Sequence, residues 1–234
     1  MTITALAFIV GAYLLGAIPS SYLVARFLKG VDIRETGSGN VGASNLSEHV
    51  GRLIGISVGF FDLIVKAAVP ILLARLLDQD LTVQAAVGLA AVLGHNWSPY
   101  LQMTGGRGIS TVIGIMVAFF MWQEILIALI LVGLIGTLWL KDMAFWVFVM
   151  IVALPGFVYF FDLIDFFNLF ERDMTIVILF ACLAVALLAK RLTANWERPE
   201  QGYNWRVFVY RALWDRDVRS QEEWTRRGIE GEAT

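Results

Sequence analysis

Cysteine occurs once in these 234 residues, at Cys182 inside an apolar run, so neither an intrachain disulfide framework nor a cysteine-based metal site can be built. Histidine is nearly as scarce, with His49 and His95 the two copies, and no metal or other cofactor is expected. Charge is the third shortage. Only 16% of the residues are charged while 58% are hydrophobic, too few polar groups to cover a water-soluble surface. A formal net charge of −2 gives no field for nucleic acid, which is excluded as a partner. From Met1 to Ala25 no charged side chain occurs. That run has no basic stretch before it, is too long for a signal-peptide core and is followed at once by Arg26 and Lys29, so a retained first helix is expected.

What is present points to an all-α integral membrane protein. Measured against the ~20 helical residues that cross a bilayer, charge-poor windows fall at 3–25, 53–74, 81–97, 108–122, 125–140, 143–161 and 174–189, which predicts seven transmembrane helices. The fourth and fifth meet at Trp122-Gln123-Glu124 and could instead be one tilted helix. Two helices are expected, because a glutamate at mid-membrane depth is costly. With the N-terminus outside, Arg26, Lys29, Arg34, Arg52, Arg107, Lys141 and the tail from Lys190 collect on the cytoplasmic side. Arg75 and Arg172 then fall outside, beside Asp78, Asp80, Asp162, Asp165, Glu171 and Asp173. One membrane domain, 1–190, is followed by a tail, 191–234, with a cytoplasmic C-terminus. Trp196, Trp205, Trp214 and Trp224 recur along that tail, the pattern of an amphipathic helix in the headgroup region. Its last fifteen residues also read as a disordered end.

Two glycine-rich stretches fall on the same predicted side. The first, Gly37-Ser38-Gly39-Asn40-Val41-Gly42-Ala43-Ser44-Asn45, contains a G-x-G-x-x-G pattern, but an apolar span precedes it where a dinucleotide fingerprint needs a strand. Bare backbone with Ser38, Asn40, Ser44 and Asn45 suits a phosphate or carboxylate, helped by a helix beginning at Ala43. An ordinary interhelical turn has the same composition. The second runs from Gly94-His95 to Gly105-Gly106-Arg107-Gly108-Ile109-Ser110. Arg107 among glycines offers a fork of donors matched to phosphate, and His95 can accept a proton or bond an oxygen. A helix-terminal histidine bonded to backbone is the plainer alternative. Asp62 and Lys66, four apart in an apolar helix, can pair, either as a purely structural couple or as a support ordering the first glycine loop. Pro19 is expected to kink the first span.

These residues resemble a known family. Gly37-Ser38-Gly39-Asn40-x-Gly42-Ala43-x-Asn45 is similar to the first motif, and Gly94-His95 through Gly105-Gly106-Arg107-Gly108 to the second, of the bacterial acylphosphate-dependent glycerol-3-phosphate acyltransferases, the PlsY family. The likeness runs from Gly11 to Thr111 and includes Gly16-Ala17-Ile18-Pro19 and Val31-Asp32-Ile33-Arg34. It implies a seven-helix inner-membrane enzyme of bacteria, its site facing the cytoplasm. The implied reaction passes an acyl group from acyl phosphate to the 1-hydroxyl of glycerol 3-phosphate, giving lysophosphatidic acid. Under it, His95 and Arg107 are the candidate catalytic residues. Ser38, Gly39, Asn40, Gly42, Asn45, Gly105, Gly106, Gly108, Ser110 and Lys190 are the candidate substrate-phosphate ligands.

The pattern departs at three places. Glu48 stands where the family has Arg. The third motif survives only as Lys190-Arg191-Leu192-Thr193-Ala194-Asn195-Trp196, with Lys190 in the place of a histidine. Lys66 comes one residue late after Asp62. A paralogue with another acceptor, or a non-catalytic lipid-binding or transport protein, are the alternatives these departures leave.

Overall fold

The computed structural model describes residues 2–164, 173–200, 202–220 and 224; Asp165, Glu171, Arg172 and most of the last fifteen residues lie outside that set. Among the described residues the chain is helical apart from turns, short 3₁₀ segments and one isolated bridge between Ser98 and Thr104. In chain order the helices are α1 (Ile3–Ala17), α2 (Ser20–Lys29), α3 (Ala43–His49), α4 (Arg52–Leu76), α5 (Leu81–Asn96), α6 (Ile109–Ala118), α7 (Trp122–Trp139), α8 (Met143–Leu163), α9 (Met174–Thr193) and α10 (Trp205–Trp214).

Among the described residues, five segments are long and apolar enough to cross a membrane: α1 with α2, α4, α7, α8 and α9. The other two expected spans are shorter, 16 residues in α5 and 10 in α6. At 1.5 Å per residue these reach about 24 Å and 15 Å, against a hydrocarbon core of ~30 Å. The 97–108 loop between them is buried at Ser98, Leu101, Gly105, Gly106 and Gly108 and exposed at Pro99, Tyr100, Gln102 and Met103, so its second half is the part that packs into the protein. The junction expected at Trp122-Gln123-Glu124 is a turn a few residues earlier. The chain bends through Phe119 to Met121, with Phe120 at a positive φ of 51°, and α7 starts at Trp122 with Glu124 fully buried in its first turn.

Pro19 does more than kink the first span. It carries no N–H, and α1 stops at Ala17 while α2 restarts at Ser20. Carbonyls released by such a break inside a bilayer must find other donors. Ser98 Oγ donates to the Ala17 carbonyl at 2.6 Å, and Lys66 Nζ to the Ile18 carbonyl at 2.5 Å. Lys66 is itself held by Asp62 at 2.7 Å and by Ser20 Oγ at 3.0 Å, while Ser20 Oγ donates to Asp62 at 2.6 Å. One turn of α4, Ile64–Ala68, is π-helical. Lys66, four residues after Asp62, lies within this turn and on the same face as its partner.

Small residues let α1 and α5 approach closely. A Cβ at Gly94 would lie 2.1 Å from the Tyr13 carbonyl oxygen, so nothing larger fits there. The main core, including Ile71, Val87, Ile115, Phe119, Ile176, Phe180 and Leu183, draws on helices α1 and α4 to α9. α10 does not stand alone. Arg211 on it is 1% exposed and donates to the carbonyls of Leu192 (3.1 Å) and Glu197 (2.8 Å) and to Asp217. Trp214 Nε1 donates to Asp142 at 2.8 Å, which pins the end of α10 to the loop before α8.

Candidate active site

The two glycine-rich stretches meet. A cavity of about 230 Å³ is lined by Ser38, Asn40, Gly42, Ala43 and Ser44 from the first and by Arg107, Gly108, Ile109 and Ser110 from the second, with Asp62, His95, Arg191 and Asp215. Both stretches run directly into helices, α3 and α6, whose amino ends open on this space and favour an anion. Gly108 starts α6 in the left-handed region at φ 77°, where a side chain would also meet Asn96 Oδ1. Upstream, Arg34 donates to Asp32 and holds its carboxyl below the usual carboxylate range. The structure thus brings Ser38, Asn40, Gly42, His95, Arg107, Gly108 and Ser110 to one place.

His95 is buried near the end of α5, with Nδ1 3.9 Å from Asp62. Gly106 passes directly over its other edge, for a Cβ there would sit 2.1 Å from His95 Nε2. Asp62 accordingly serves three neighbours, Lys66 by ion pair, Ser20 by hydrogen bond and His95 more loosely. The ring lies between an anion and a bare backbone turn, positioned by both.

Five of the expected ligands lie outside the cavity wall, Gly106 over the His95 ring among them. Asn45 is 2% exposed and points inward, its amide nitrogen 3.0 Å from the carbonyls of Ile33, Thr36 and Asn40, so it shapes the first loop from beneath. Gly39 turns at φ 66° against the Arg34 carbonyl and is outside the cavity wall. Gly105 donates its N–H to Asn195 Oδ1 at 3.1 Å and packs on the His95 and Asn96 carbonyls. Lys190 is fully buried and donates to the Asn96 carbonyl and, at 2.6 Å, to Asn195 Oδ1. It ties α9 to the end of α5 rather than reaching the cavity. Glu48, whose sign reversal the pattern made conspicuous, is an exposed residue of α3 and is not among the lining residues.

Two lining residues escaped the sequence reading. Arg191 donates to the carbonyls of Ala212 (2.9 Å) and Ala144 (3.1 Å). Asp215 accepts from Arg107 Nε at 2.7 Å. The quoted remnant of the third motif was the one signal for Arg191. For Asp215, 108 residues from its partner, no local pattern could have served.

Beyond the polar cavity lies an apolar one of about 290 Å³ between α6, α7, α8 and α9. Ile109, Met143, Val147, Ile151 and Leu187 line both. Of the basic residues expected on the cytoplasmic side, Arg107 and Arg191 line the polar cavity. Arg75 instead bonds Gln84 and stacks near Phe119 and Phe120 at the turn before α7.

The glycerol-3-phosphate acyltransferase family model matches residues 6–202. Glycerol-3-phosphate acyltransferase 4 of Dehalococcoides mccartyi strain CBDB1 is 39% identical over 220 residues, 92% of this chain and 90% of that protein. The Myxococcus xanthus glycerol-3-phosphate acyltransferase is 43% identical over 122 residues, 52% of this chain and 63% of its own length. Among solved structures, the integral membrane glycerol 3-phosphate acyltransferase PlsY (YgiH) in its glycerol 3-phosphate form superposes with a TM-score of 0.68 at 27% identity, covering 80% of this chain and 88% of that one. Its lysophosphatidic acid form gives a TM-score of 0.67 at 26% identity. With a family match spanning most of its length and all-helical, membrane-crossing architecture in common, this chain belongs to the glycerol-3-phosphate acyltransferase family.

Proposed function

We propose that the protein transfers a fatty acyl group from acyl phosphate to the 1-hydroxyl of glycerol 3-phosphate, releasing phosphate and lysophosphatidic acid at the cytoplasmic face of a bacterial inner membrane. One observation carries the reading: a polar cavity suited to phosphates shares a wall with an apolar cavity between membrane helices. An acyl phosphate has that division, a charged head on a hydrocarbon tail.

The donor is already an activated mixed anhydride, so no covalent enzyme intermediate is required. The acceptor oxygen attacks the acyl carbon, the bond from that carbon to the phosphate oxygen breaks, and phosphate departs with the electron pair. Arg107 and the amino ends of α3 and α6 neutralise phosphate charge, with Ser38 and Ser110 donating hydroxyls. His95, held beside Asp62, orients the attacking hydroxyl and receives its proton. The shared wall of Ile109, Val147 and Ile151 holds the acyl carbon where the two cavities join. Seven crossings with the N-terminus outside would put both glycine-rich stretches, which line one cavity with Arg107 and Arg191, on the cytoplasmic side.

Glu48 lies away from the cavity wall, which removes one argument for a different acceptor. The test is phosphate release from palmitoyl phosphate by purified protein in detergent, with and without glycerol 3-phosphate. Acceptor-dependent release that Arg107→Ala abolishes is expected. No release, beside an active relative under the same conditions, would point to a lipid-binding or transport protein instead.

A further inference from the structure

The wall of the polar cavity is completed by a residue from beyond the stretch that the family model matches. That match ends at residue 202, and Asp215 follows α10, in a left-handed conformation at φ 57°. Its position is not loosely held. Arg191 grips the Ala212 and Leu213 carbonyls just ahead of it, Trp214 is bonded to Asp142, and Arg211 fastens the whole segment to the end of α9.

The two carboxylate oxygens of Asp215 are in different situations. Oδ2 accepts from Arg107 Nε. Oδ1 is buried and accepts no hydrogen bond from any described residue. A buried carboxylate oxygen without a donor is costly, and a phosphate dianion brought into this cavity supplies none. Asn40 also has an unpaired buried oxygen here, but an amide can turn a donor toward the cavity by rotating. A carboxylate cannot, so Asp215 Oδ1 is suited to a ligand that donates.

We infer that Asp215 reads the acceptor: Oδ2 fixes the Arg107 guanidinium, and Oδ1 accepts a hydrogen bond from the non-reacting 2-hydroxyl of a polyol phosphate whose phosphate rests on Arg107. The choice of hydroxyl follows from the carbon chain. A phosphate on carbon 3 beside Arg107 brings the 2-hydroxyl next to Arg107's own partner, while the 1-hydroxyl lies one carbon farther, free to react. The inference rests on the acceptor assigned above and adds a specificity-determining residue supplied by the C-terminal segment.

The experiment compares the intact protein with Asp215→Asn, which keeps the shape and removes the charge. Binding of glycerol 3-phosphate and of 3-hydroxypropyl phosphate, which lacks the 2-hydroxyl, is measured by titration calorimetry in detergent, alongside acceptor and donor KM. The wild-type protein is expected to prefer glycerol 3-phosphate by roughly tenfold, the value of one hydrogen bond to a charged group. In Asp215→Asn that preference should shrink toward unity. An equal loss on both acceptors would overturn the inference, because it would mean that Asp215 acts only by holding Arg107. So would unaltered discrimination, or no binding of either compound. Asp215→Glu, which retains a charged acceptor, should keep part of the preference; complete loss with a normal melting profile would also count against it. Hydroxyl-dependent binding without any turnover would leave this inference standing and defeat the proposed reaction, whereas turnover with no Asp215 effect would do the reverse.

Discussion

Separating Asp62 from Lys66 should cost the protein more than any surface ion pair could. Their side chains are 2% and 1% exposed and 2.7 Å apart. Removing one partner of a buried pair costs about 3–5 kcal/mol, because the survivor is left charged and uncompensated. In Asp62→Asn the ammonium of Lys66 keeps the Ile18 carbonyl and Ser20 Oγ, so the low end, about 3 kcal/mol, applies. For a chain of this size that corresponds to a melting point lowered by about 6–12 °C. Lys66→Met should cost a similar amount, leaving a carboxylate with Ser20 and a distant His95 for company. The informative member is the double variant, which buries no charge at either position and should melt above both single variants. Thermal unfolding in one detergent, followed by circular dichroism or intrinsic tryptophan emission, measures all four corners of the cycle. Two outcomes would refute the reasoning: single variants that melt with the parent, or a double variant whose loss is the sum of theirs.

Four further outcomes are expected. Gly106→Ala would place a methyl 2.1 Å from His95 Nε2; the ring must shift, and kcat should fall by roughly a hundredfold with the melting point little changed. Asn45→Ala removes the amide that gathers three carbonyls beneath the first loop; a loss of about 1–3 kcal/mol in stability and a raised acceptor KM are expected, checked by melting and initial rates. Ala184→Phe projects a ring into the apolar cavity and should shift donor preference from palmitoyl toward shorter chains, by up to about 0.8 kcal/mol for each methylene excluded, read from kcat/KM across a chain-length series. Arg211→Met should loosen α10 from the end of α9, visible as faster amide hydrogen exchange confined to 205–217.

The membrane class was legible because it depends only on composition and run length, and the meeting of the two glycine stretches because neutral donors, bare backbone and a guanidinium read the same way wherever they occur. Directions of side chains were not. Nothing local distinguishes an asparagine that faces a ligand from one that gathers its own loop's carbonyls, and Asn45 does the second. Lys190 looked like a replacement for a lost site residue, yet at the end of a packed helix its long stem reaches the Asn96 carbonyl instead. Asp215 could not be found at all, since what places it is a helix docked through Arg191, Arg211 and Trp214, contacts between residues far apart in the chain. Pro19 was visible as a disturbance. That Lys66 and Ser98 would serve the carbonyls it frees was not, because a sequence shows which bonds are missing and not who replaces them.

The interruption at Pro19 has a consequence for how related chains can differ. A lysine ammonium in the bilayer is tolerable here because a carbonyl opened by the proline awaits it, and the aspartate is tolerable because the lysine is there. Substitution at position 62 or 66 leaves the other charge without its ion-pair partner, and restoring a straight helix at position 19 takes the Ile18 carbonyl from Lys66, so these positions should change together across relatives. Chains that straighten the first span are free to shed the ionised couple, and chains that keep the interruption are bound to keep it.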